Sequence, residues 1–339
     1  AHEVLVEMEA GKGNEGEVVR LLSPAAIRCQ ADGARRLLHA RRRAALPNAR
    51  LETLRALPGV RHVWAAPPVY FAVHGEPLFE CAAQAVALAE AHGWSLGHVA
   101  LAYEAALLGL PEDEVLAEMG RRFDVMRAAA ERGLADDLPP MQLLSPTAGQ
   151  IYRAEGTGRL AIGGLHTRAA ARAMAVMHVN GGMGVVCAAP TAGSAGTLPG
   201  VIVTLFEELG LDGDEVAFAL LAAAAVGVVV GTRATFAAEV AGCQVEIGAS
   251  GAMAAAAVIE AAGGTARQAC DAAAIAFQNT MGSVCDLVQG IVEVPCHTRN
   301  AVAASSAFVC ADLILGGYEN PVPLDETIDA VYAVGKMLP

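Results

Sequence analysis

Apolar residues recur along most of the chain with the spacing of α-helices rather than with the alternation of strands. Two helices are predicted before residue 140. One is capped by Ser95, and the other begins at Pro111, with acidic residues in its first turn and Gly133 near its end. After residue 140 no convincing strand pattern occurs, and the periodicity predicts seven more helices, at 163–184, 197–210, 214–230, 249–262, 265–281, 299–315 and 324–336.

The N-terminal residues follow a different pattern. Short β-prone pieces, VRHVWAA at 60–66 and VYFAVHG at 69–75, are separated by a Pro–Pro pair. The basic cluster ARRLLHARRRAALPNAR at 34–50 is interpreted as a solvated helix face. The predicted fold class is mainly α, with a helical domain at 76–339 that follows a small α/β segment at 1–75.

Composition agrees with tightly packed helices and excludes several partners. Of the 339 residues 54% are hydrophobic but only 4% are aromatic, and small aliphatic residues favour closely packed helices. The net charge of −13 makes nucleic acid and an anionic membrane surface unlikely partners. The longest apolar run, 216–230, is short for a membrane span and typical of a buried core helix.

The cysteines and the N-terminal residues indicate the cellular compartment. Eight cysteines occur without a repeating pattern, and the N-terminal residues AHEVLVEMEAGKG contain no apolar leader segment. We therefore expect a cytoplasmic protein with free or metal-bound thiols.

Three cysteines, Cys243, Cys285 and Cys296, stand close to glycine or proline residues. Thiolates that bind a metal need backbone that folds tightly around it, and three of them without a fourth leave one coordination position open. Their separations match no compact zinc signature, and free cysteines are often buried as small hydrophobic residues. On spacing alone both interpretations stay open.

Longer motifs surround these cysteines. They are PTAGSAGTLPG at 190–200, AGCQVEIGASGAM at 241–253 and CDLVQGIVEVPCHTRNA at 285–301. In them the chain resembles the iron–sulfur L-serine dehydratases, specifically their α (catalytic) part, over about residues 140–336. The resemblance implies an all-helical catalytic domain that eliminates water and then ammonia from a β-hydroxy amino acid.

The resemblance also implies a [4Fe–4S] cluster. Cys243, Cys285 and Cys296 fall on the family's three ligand positions, which leaves one iron free to act as a Lewis acid on the substrate hydroxyl. Pyridoxal phosphate, the common alternative for such eliminations, needs a Schiff-base lysine. The chain has only Lys12 and Lys336, and neither lies in a convincing motif for that cofactor.

Further candidate site residues lie in or near the matched motifs. Small side chains and free backbone N–H groups in PTAGSAG suit a carboxylate, and each of two arginines follows a His–Thr pair. Either arginine could instead form a structural ion pair. A histidine on a helix could instead occupy a position in the core. The candidates for proton transfer are His166, His297 and His178. The candidates for binding an amino-acid-like substrate are Thr191, Gly193, Ser194, Arg168, Arg299, Asn180 and Asn300.

Two features differ from the family pattern. The family's β part carries a Ser-rich loop ending in histidine, which this sequence lacks, so residues 1–75, a β subunit or a second copy would have to complete the substrate site. No cysteine follows Cys310 to reach the fourth iron. Two alternatives to L-serine dehydration therefore stay open. One is the same cluster chemistry on another β-substituted acid such as cysteine, and the other is a non-catalytic partner subunit.

Overall fold

The computed structural model describes residues 2–12, 14–42, 44–66, 73–135 and 137–338. The chain divides into two compact units, Ala1–Val73 and His74–Pro339. Each unit has its own hydrophobic core.

The first unit is a four-stranded antiparallel sheet with two helices. Its elements are β1 (His2–Glu9), α1 (Glu15–Leu22), β2 (Ala26–Asp32), β3 (Arg35–Arg42), α2 (Asn48–Ala56) and β4 (Val60–Ala66). The strand order is β2-β3-β1-β4, which gives the βαββαβ topology of ferredoxin-like units. The strand predicted at 60–66 is confirmed as β4, whereas residues 69–72 of the other β-prone piece lie outside the described residues.

The basic cluster forms a strand, so the predicted helix face is wrong. In β3 Leu38 and Ala40 are buried in the core of the first unit, while Arg41 on the other face pairs with Glu3 at 3.1 Å. This alternation has the period of two that a half-buried strand requires, but the density of arginine hid it in the sequence.

The second unit contains helices and no strand among its described residues. Its helices are α3 (Ala82–His92), α4 (Leu96–Leu108), α5 (Glu112–Gly133), α6 (Ala148–Ala154), α7 (Leu165–Gly181), α8 (Thr197–Leu209), α9 (Gly213–Arg233), α10 (Ala238–Ala241), α11 (Ile247–Ala261), α12 (Ala266–Thr280), α13 (Cys296–Leu315) and α14 (Leu324–Gly335). The mainly α prediction, with a small α/β segment at the N-terminus, is confirmed.

Helix α11 forms the centre of this unit. Residues 247–259 are all buried, and the helix packs against α8, α9, α12 and α13. The helices predicted at 197–210, 265–281 and 324–336 agree with α8, α12 and α14 to within one residue at each end. The helix predicted at 299–315 begins three residues earlier, which places Cys296 in its first turn.

Glycine allows the helices around the site to approach closely. A β-carbon at Gly133 would lie 2.0 Å from the carbonyl oxygen of Ala175, and one at Gly196 would lie 2.3 Å from that of Ala173. Real β-carbons do not reach such distances. Helix α7 can therefore pack against α5 and against the start of α8 only because these positions lack side chains.

Helix α9 is long and apolar enough to cross a membrane by length and composition alone. In the structure 61% of its most apolar 18-residue window is buried within the protein. Core helices pass the same test, so this helix is weak evidence for a membrane span.

Asp325 caps helix α3 from a distant part of the sequence. Its carboxylate accepts hydrogen bonds from the backbone N–H groups of Ala82 at 2.8 Å and Ala83 at 2.9 Å, whereas the N-cap residue Cys81 makes no side-chain capping bond. Asp325→Ala should lower the free energy of unfolding by about 1–2 kcal/mol, because two helix N–H groups lose their acceptor. Urea denaturation measures this change.

Asp329→Ala on the same helix is the matched control. Asp329 is exposed and forms a surface ion pair with Arg233, so its loss should cost no more than about 0.5 kcal/mol. Equal losses for both variants would show that Asp325 acts only through its charge.

Candidate functional site

The three cysteines singled out in the sequence belong to three segments of the second unit. Cys243 lies in a 3₁₀ turn that follows Gly242, a residue with φ of 78°, and leads into α11. Cys285 lies in the connection between α12 and α13, and Cys296 is the first residue of α13. Cys243 and Cys296 are buried, whereas Cys285 is exposed.

Two of the thiols act electrostatically on the third. Burial first, and then the charges of Cys243, Glu246 and Cys285, raise the pKa of the Cys296 thiol to about 12. Burial also raises the pKa of Cys243 and of Cys285. The three thiols therefore stay protonated at neutral pH unless a cation stabilises the thiolates, as metal binding does.

These cysteines do not form a site for one metal ion. Within the described residues no group of three or more His, Cys, Asp or Glu side chains could hold a single ion. A cubane iron–sulfur cluster makes a different demand, because it attaches each thiolate to a separate iron. Cys243 and Cys285 both act on the pKa of Cys296, so the three thiols lie in one neighbourhood of the second unit.

Arg299 joins the segments that carry Cys243 and Cys285. Its guanidinium donates to Asp286 at 2.6 Å and to the carbonyl oxygen of Val284 at 3.1 Å, and it interacts with the sulfur of Cys243. Arg299, predicted to bind the substrate carboxylate, therefore already binds the carboxylate of Asp286. The structure favours the structural ion pair, which the sequence left open as an alternative.

Glu246 is the site residue that the sequence reasoning missed. It lies three positions after Cys243, and the Thr191 hydroxyl donates to its carboxylate. Thr191 also contacts Ser194, with 3.0 Å between the hydroxyl oxygens, and a β-carbon at Gly193 would lie 2.6 Å from the Glu246 oxygen. The PTAG loop, predicted to receive a substrate carboxylate, therefore lies against the carboxylate of Glu246.

Burial raises the pKa of Glu246, and the Thr191 hydroxyl lowers it in part. The charge of Glu246 also raises the pKa of Cys285 and Cys296, so this carboxylate lies among the thiols. An isolated glutamate in a motif of small apolar residues was the only sequence signal for it.

Asn300 fastens the PTAG loop to helix α13. Its side-chain oxygen accepts from the backbone N–H groups of Gly196 at 3.1 Å and Thr197 at 3.0 Å. Its amide nitrogen donates at 2.9 Å to the carbonyl oxygens of both Gly193 and Cys296. The side chain is fully buried and engaged by its own chain, which gives it a bracing role, while its contact with substrate stays a prediction.

Asn300→Ala should lower the free energy of unfolding by about 3–5 kcal/mol. Each buried backbone group left without a partner costs about 1–3 kcal/mol, and several lose one here. Asn180→Ala is the control, because Asn180 lies at the less buried end of α7 and donates one bond, to the carbonyl oxygen of Ala192 at 2.8 Å. Its loss should cost about 1 kcal/mol in the same denaturation assay. A similar loss of unfolding free energy in the two variants would contradict the bracing role of Asn300.

His178 on α7 and His297 on α13 form a buried pair. Their Nδ1 atoms are 3.2 Å apart. The Nε2 atom of His178 lies 3.1 Å from the backbone nitrogen of Thr147 and 3.3 Å from that of Ala148. Burial lowers the pKa of His178, and it lowers the pKa of His297 to about 4, with His178 adding to that shift. Both rings are therefore neutral at pH 7.

Glu293 holds the loop that lies beside this pair. Its buried carboxylate accepts from the backbone N–H groups of Gln142, Leu143 and Leu144, at 2.8 to 2.9 Å. Burial alone would raise the pKa of Glu293, but these donors and nearby His297 lower it overall. The loop that leads to Thr147 is thus tied to the segment that precedes Cys296.

His166 and Arg168 lie at the other end of α7. Twelve residues separate His166 from His178, which is about 18 Å along a helix. The Nδ1 atom of His166 lies 3.2 Å from the carbonyl oxygen of Ser305, and Arg168 pairs with Glu155 and Glu208. The structure does not bring either residue to the cysteines, and we leave both out of the proposed site.

A cavity of about 300 Å³ adjoins Cys243. This is the size at which pockets begin to accept small organic molecules. The residues that line it include Cys243, Thr280, Ser283, Arg299, Val302 and Ser306.

Comparison with known proteins gives one consistent result. The family described as serine dehydratase alpha chain matches residues 36–339. The chain is 38% identical over 244 residues to a probable L-serine dehydratase, alpha chain, of Bacillus subtilis, covering 72% of this chain and 81% of that protein. It is 38% identical over 228 residues to the L-serine dehydratase, alpha chain, of Peptoniphilus asaccharolyticus, covering 67% and 78%.

Another relative is longer, and its name carries no chain designation. The chain is 32% identical over 256 residues to L-serine dehydratase 2 of Escherichia coli, which covers 72% of this chain but only 55% of that protein.

Proposed function

Because the chain belongs to the serine dehydratase alpha chain family, we propose that it is the catalytic part of an L-serine dehydratase. The reaction removes the Cα proton and the β-hydroxyl of L-serine, and the resulting aminoacrylate hydrolyses to pyruvate and ammonia. The observation that carries the proposal is the position of Cys243, Cys285 and Cys296 near Glu246, whose charge raises the pKa of all three thiols. The free thiols fit the reducing cytoplasm, which we propose as the compartment.

A [4Fe–4S] cluster is the cofactor that we propose for these residues. Cys243, Cys285 and Cys296 would hold it, and Arg299 would keep two of their segments together. When bound, a cluster with three protein ligands supplies an iron that can act as a Lewis acid towards the substrate hydroxyl.

Glu246 is the residue that we propose as the general base for the Cα proton. Its raised pKa brings a carboxylate nearer to the pH at which proton transfer is efficient, and the Thr191 hydroxyl fixes its orientation. The histidines suggested by the sequence are less suitable. His166 lies far along α7, and burial lowers the pKa of His297 to about 4, which makes its imidazole a weaker base than the Glu246 carboxylate with its raised pKa.

A second chain would complete this enzyme. The relatives named alpha chain are covered to 78% or more, whereas the E. coli protein, whose name carries no chain designation, is covered to 55%. We propose that a β subunit supplies the remaining part of the substrate site. A homodimer is the alternative, and native mass spectrometry with and without the β chain distinguishes them.

The decisive experiment is an anaerobic assay of the reconstituted protein with L-serine, L-threonine and L-cysteine, alone and with a β chain. Pyruvate from L-serine is the expected product. A 2-oxo acid and sulfide from L-cysteine alone would assign the same chemistry to another β-substituted acid. No 2-oxo acid from any of the three, with the cluster intact and the β chain present, would leave only a non-catalytic role.

A further inference from the structure

One buried polar atom is left without a partner beside the cysteines. Among the buried side-chain nitrogen and oxygen atoms of the described residues, only Nε2 of His297 lacks a hydrogen bond. His297 itself is fully buried, and it follows Cys296 directly in α13. An unpaired polar atom in such a position costs free energy, so it indicates a partner that binds there.

The protonation of this atom follows from a chain of hydrogen bonds. The backbone N–H groups of Thr147 and Ala148 can only donate, so Nε2 of His178 must be an acceptor. A neutral imidazole that accepts at Nε2 carries its proton on Nδ1. His178 therefore donates from Nδ1 to Nδ1 of His297, and the proton of His297 must lie on Nε2.

The backbone thus presets His297 as a hydrogen-bond donor. Its Nε2–H points away from His178 and needs an acceptor. The ammonium group of L-serine offers none, and its hydroxyl is the group assigned to the metal in the proposed function. The carboxylate, which is ionised at neutral pH, is the acceptor that remains.

Gly181 lies close to Nε2 of His297, and Met141 lies beside Gly181. A β-carbon at Gly181 would lie 3.8 Å from Nε2 of His297 and 2.9 Å from the sulfur of Met141. Met141 is half-buried, and its unbranched side chain can change conformation to admit a ligand. A residue larger than glycine at position 181 would reduce this space.

We infer that Nε2–H of His297 binds the substrate carboxylate, and that His178, held by the Thr147–Ala148 backbone, is the positioning residue that fixes this tautomer. The inference rests on the proposed function. It makes His297 a hydrogen-bond donor, whereas the sequence had suggested it for proton transfer. The same N–H could instead meet another anionic acceptor, a sulfide of the cluster, and the test below separates the two.

Glutamine and asparagine at position 297 form the critical pair of variants. His297→Gln places an amide N–H near the position of Nε2 but has no basicity, whereas His297→Asn is too short to reach it. We expect the asparagine variant to raise the KM for L-serine at least about tenfold, since a hydrogen bond to a charged group is lost. The glutamine variant should raise it less than about threefold.

Gly181→Ala is a second variant that leaves every polar group in place. Its added methyl group should weaken binding by crowding Nε2, and the only close contact is the flexible end of Met141. Calorimetry with L-alanine, which lacks a leaving group, measures binding without turnover, and L-alaninamide serves as the ligand without a carboxylate. The exposed His92→Asn variant is the control for histidine loss in general.

Three results would overturn the inference. Equal losses of kcat in both position-297 variants, with KM unchanged, would make His297 the base. Unchanged L-alanine affinity, together with an altered EPR or absorption spectrum of substrate-free His297→Asn, would assign the N–H to a cluster sulfide. Unchanged L-alanine affinity and spectra would leave the N–H without a function. Failure of wild type to form pyruvate defeats the proposed function instead, and L-alanine binding is measured independently of it.

Discussion

Replacing Cys285 by alanine should lower the rate of L-serine dehydration about a thousandfold or more. Lewis-acid stabilisation is worth several kcal/mol, and each loss of about 1.4 kcal/mol slows a reaction tenfold. The substitution should also remove most of the iron, because two thiolates hold a cluster less firmly than three. Fold should persist, since Cys285 is exposed and contributes little to the core.

Iron content, absorption and EPR spectra and pyruvate formation, all recorded anaerobically, measure these changes. Cys29→Ala is the matched control, because Cys29 is also exposed but belongs to the first unit. A Cys285→Ala variant with full iron content and wild-type turnover would rule out this cysteine as a ligand.

Replacing Glu246 by glutamine should lower kcat for L-serine by about 10²–10⁴-fold, the usual contribution of a general base. Glutamine keeps the shape of the side chain and its bond to Thr191 but cannot take a proton. Iron content should match wild type. The effect of deuterium at Cα on the rate should increase, because proton removal becomes the slow step.

The pH dependence provides a second readout. Burial raises the pKa of Glu246, and a base works only when deprotonated, so wild-type activity should fall as the pH decreases through this raised value. The acidic fall should therefore begin above the usual pKa of glutamate and vanish in Glu246→Gln. Glu239→Gln is the control, since Glu239 also acts on Cys285 but is exposed. Equal effects of the two substitutions would contradict the role of Glu246.

Helices were predictable here because their signals are local. Apolar spacing and the residues at the ends sufficed for α8, α12 and α14, and long motifs were sufficient to identify the family. Strand β3 was missed because its alternation holds only two buried residues, Leu38 and Ala40, among many arginines.

Partners distant in sequence explain the other differences. The contacts of Arg299 with Asp286 and of Asn300 with the PTAG loop depend on the fold, so the sequence could not show them. His178 and His297 are 119 positions apart, and nothing in one sequence pairs them. The residue type shows the charge of a side chain and the hydrogen bonds that it can form. It does not show which of these bonds are formed with other residues of the same chain.

The unequal exposure of the three cysteines has a consequence for maturation. Two thiols are packed among the helices, while Cys285 lies in a surface connection, so two of the three proposed attachment points would form as the chain folds. An inorganic group delivered after folding would enter from the side of Cys285, and a chelator or oxygen would reach it from that side first.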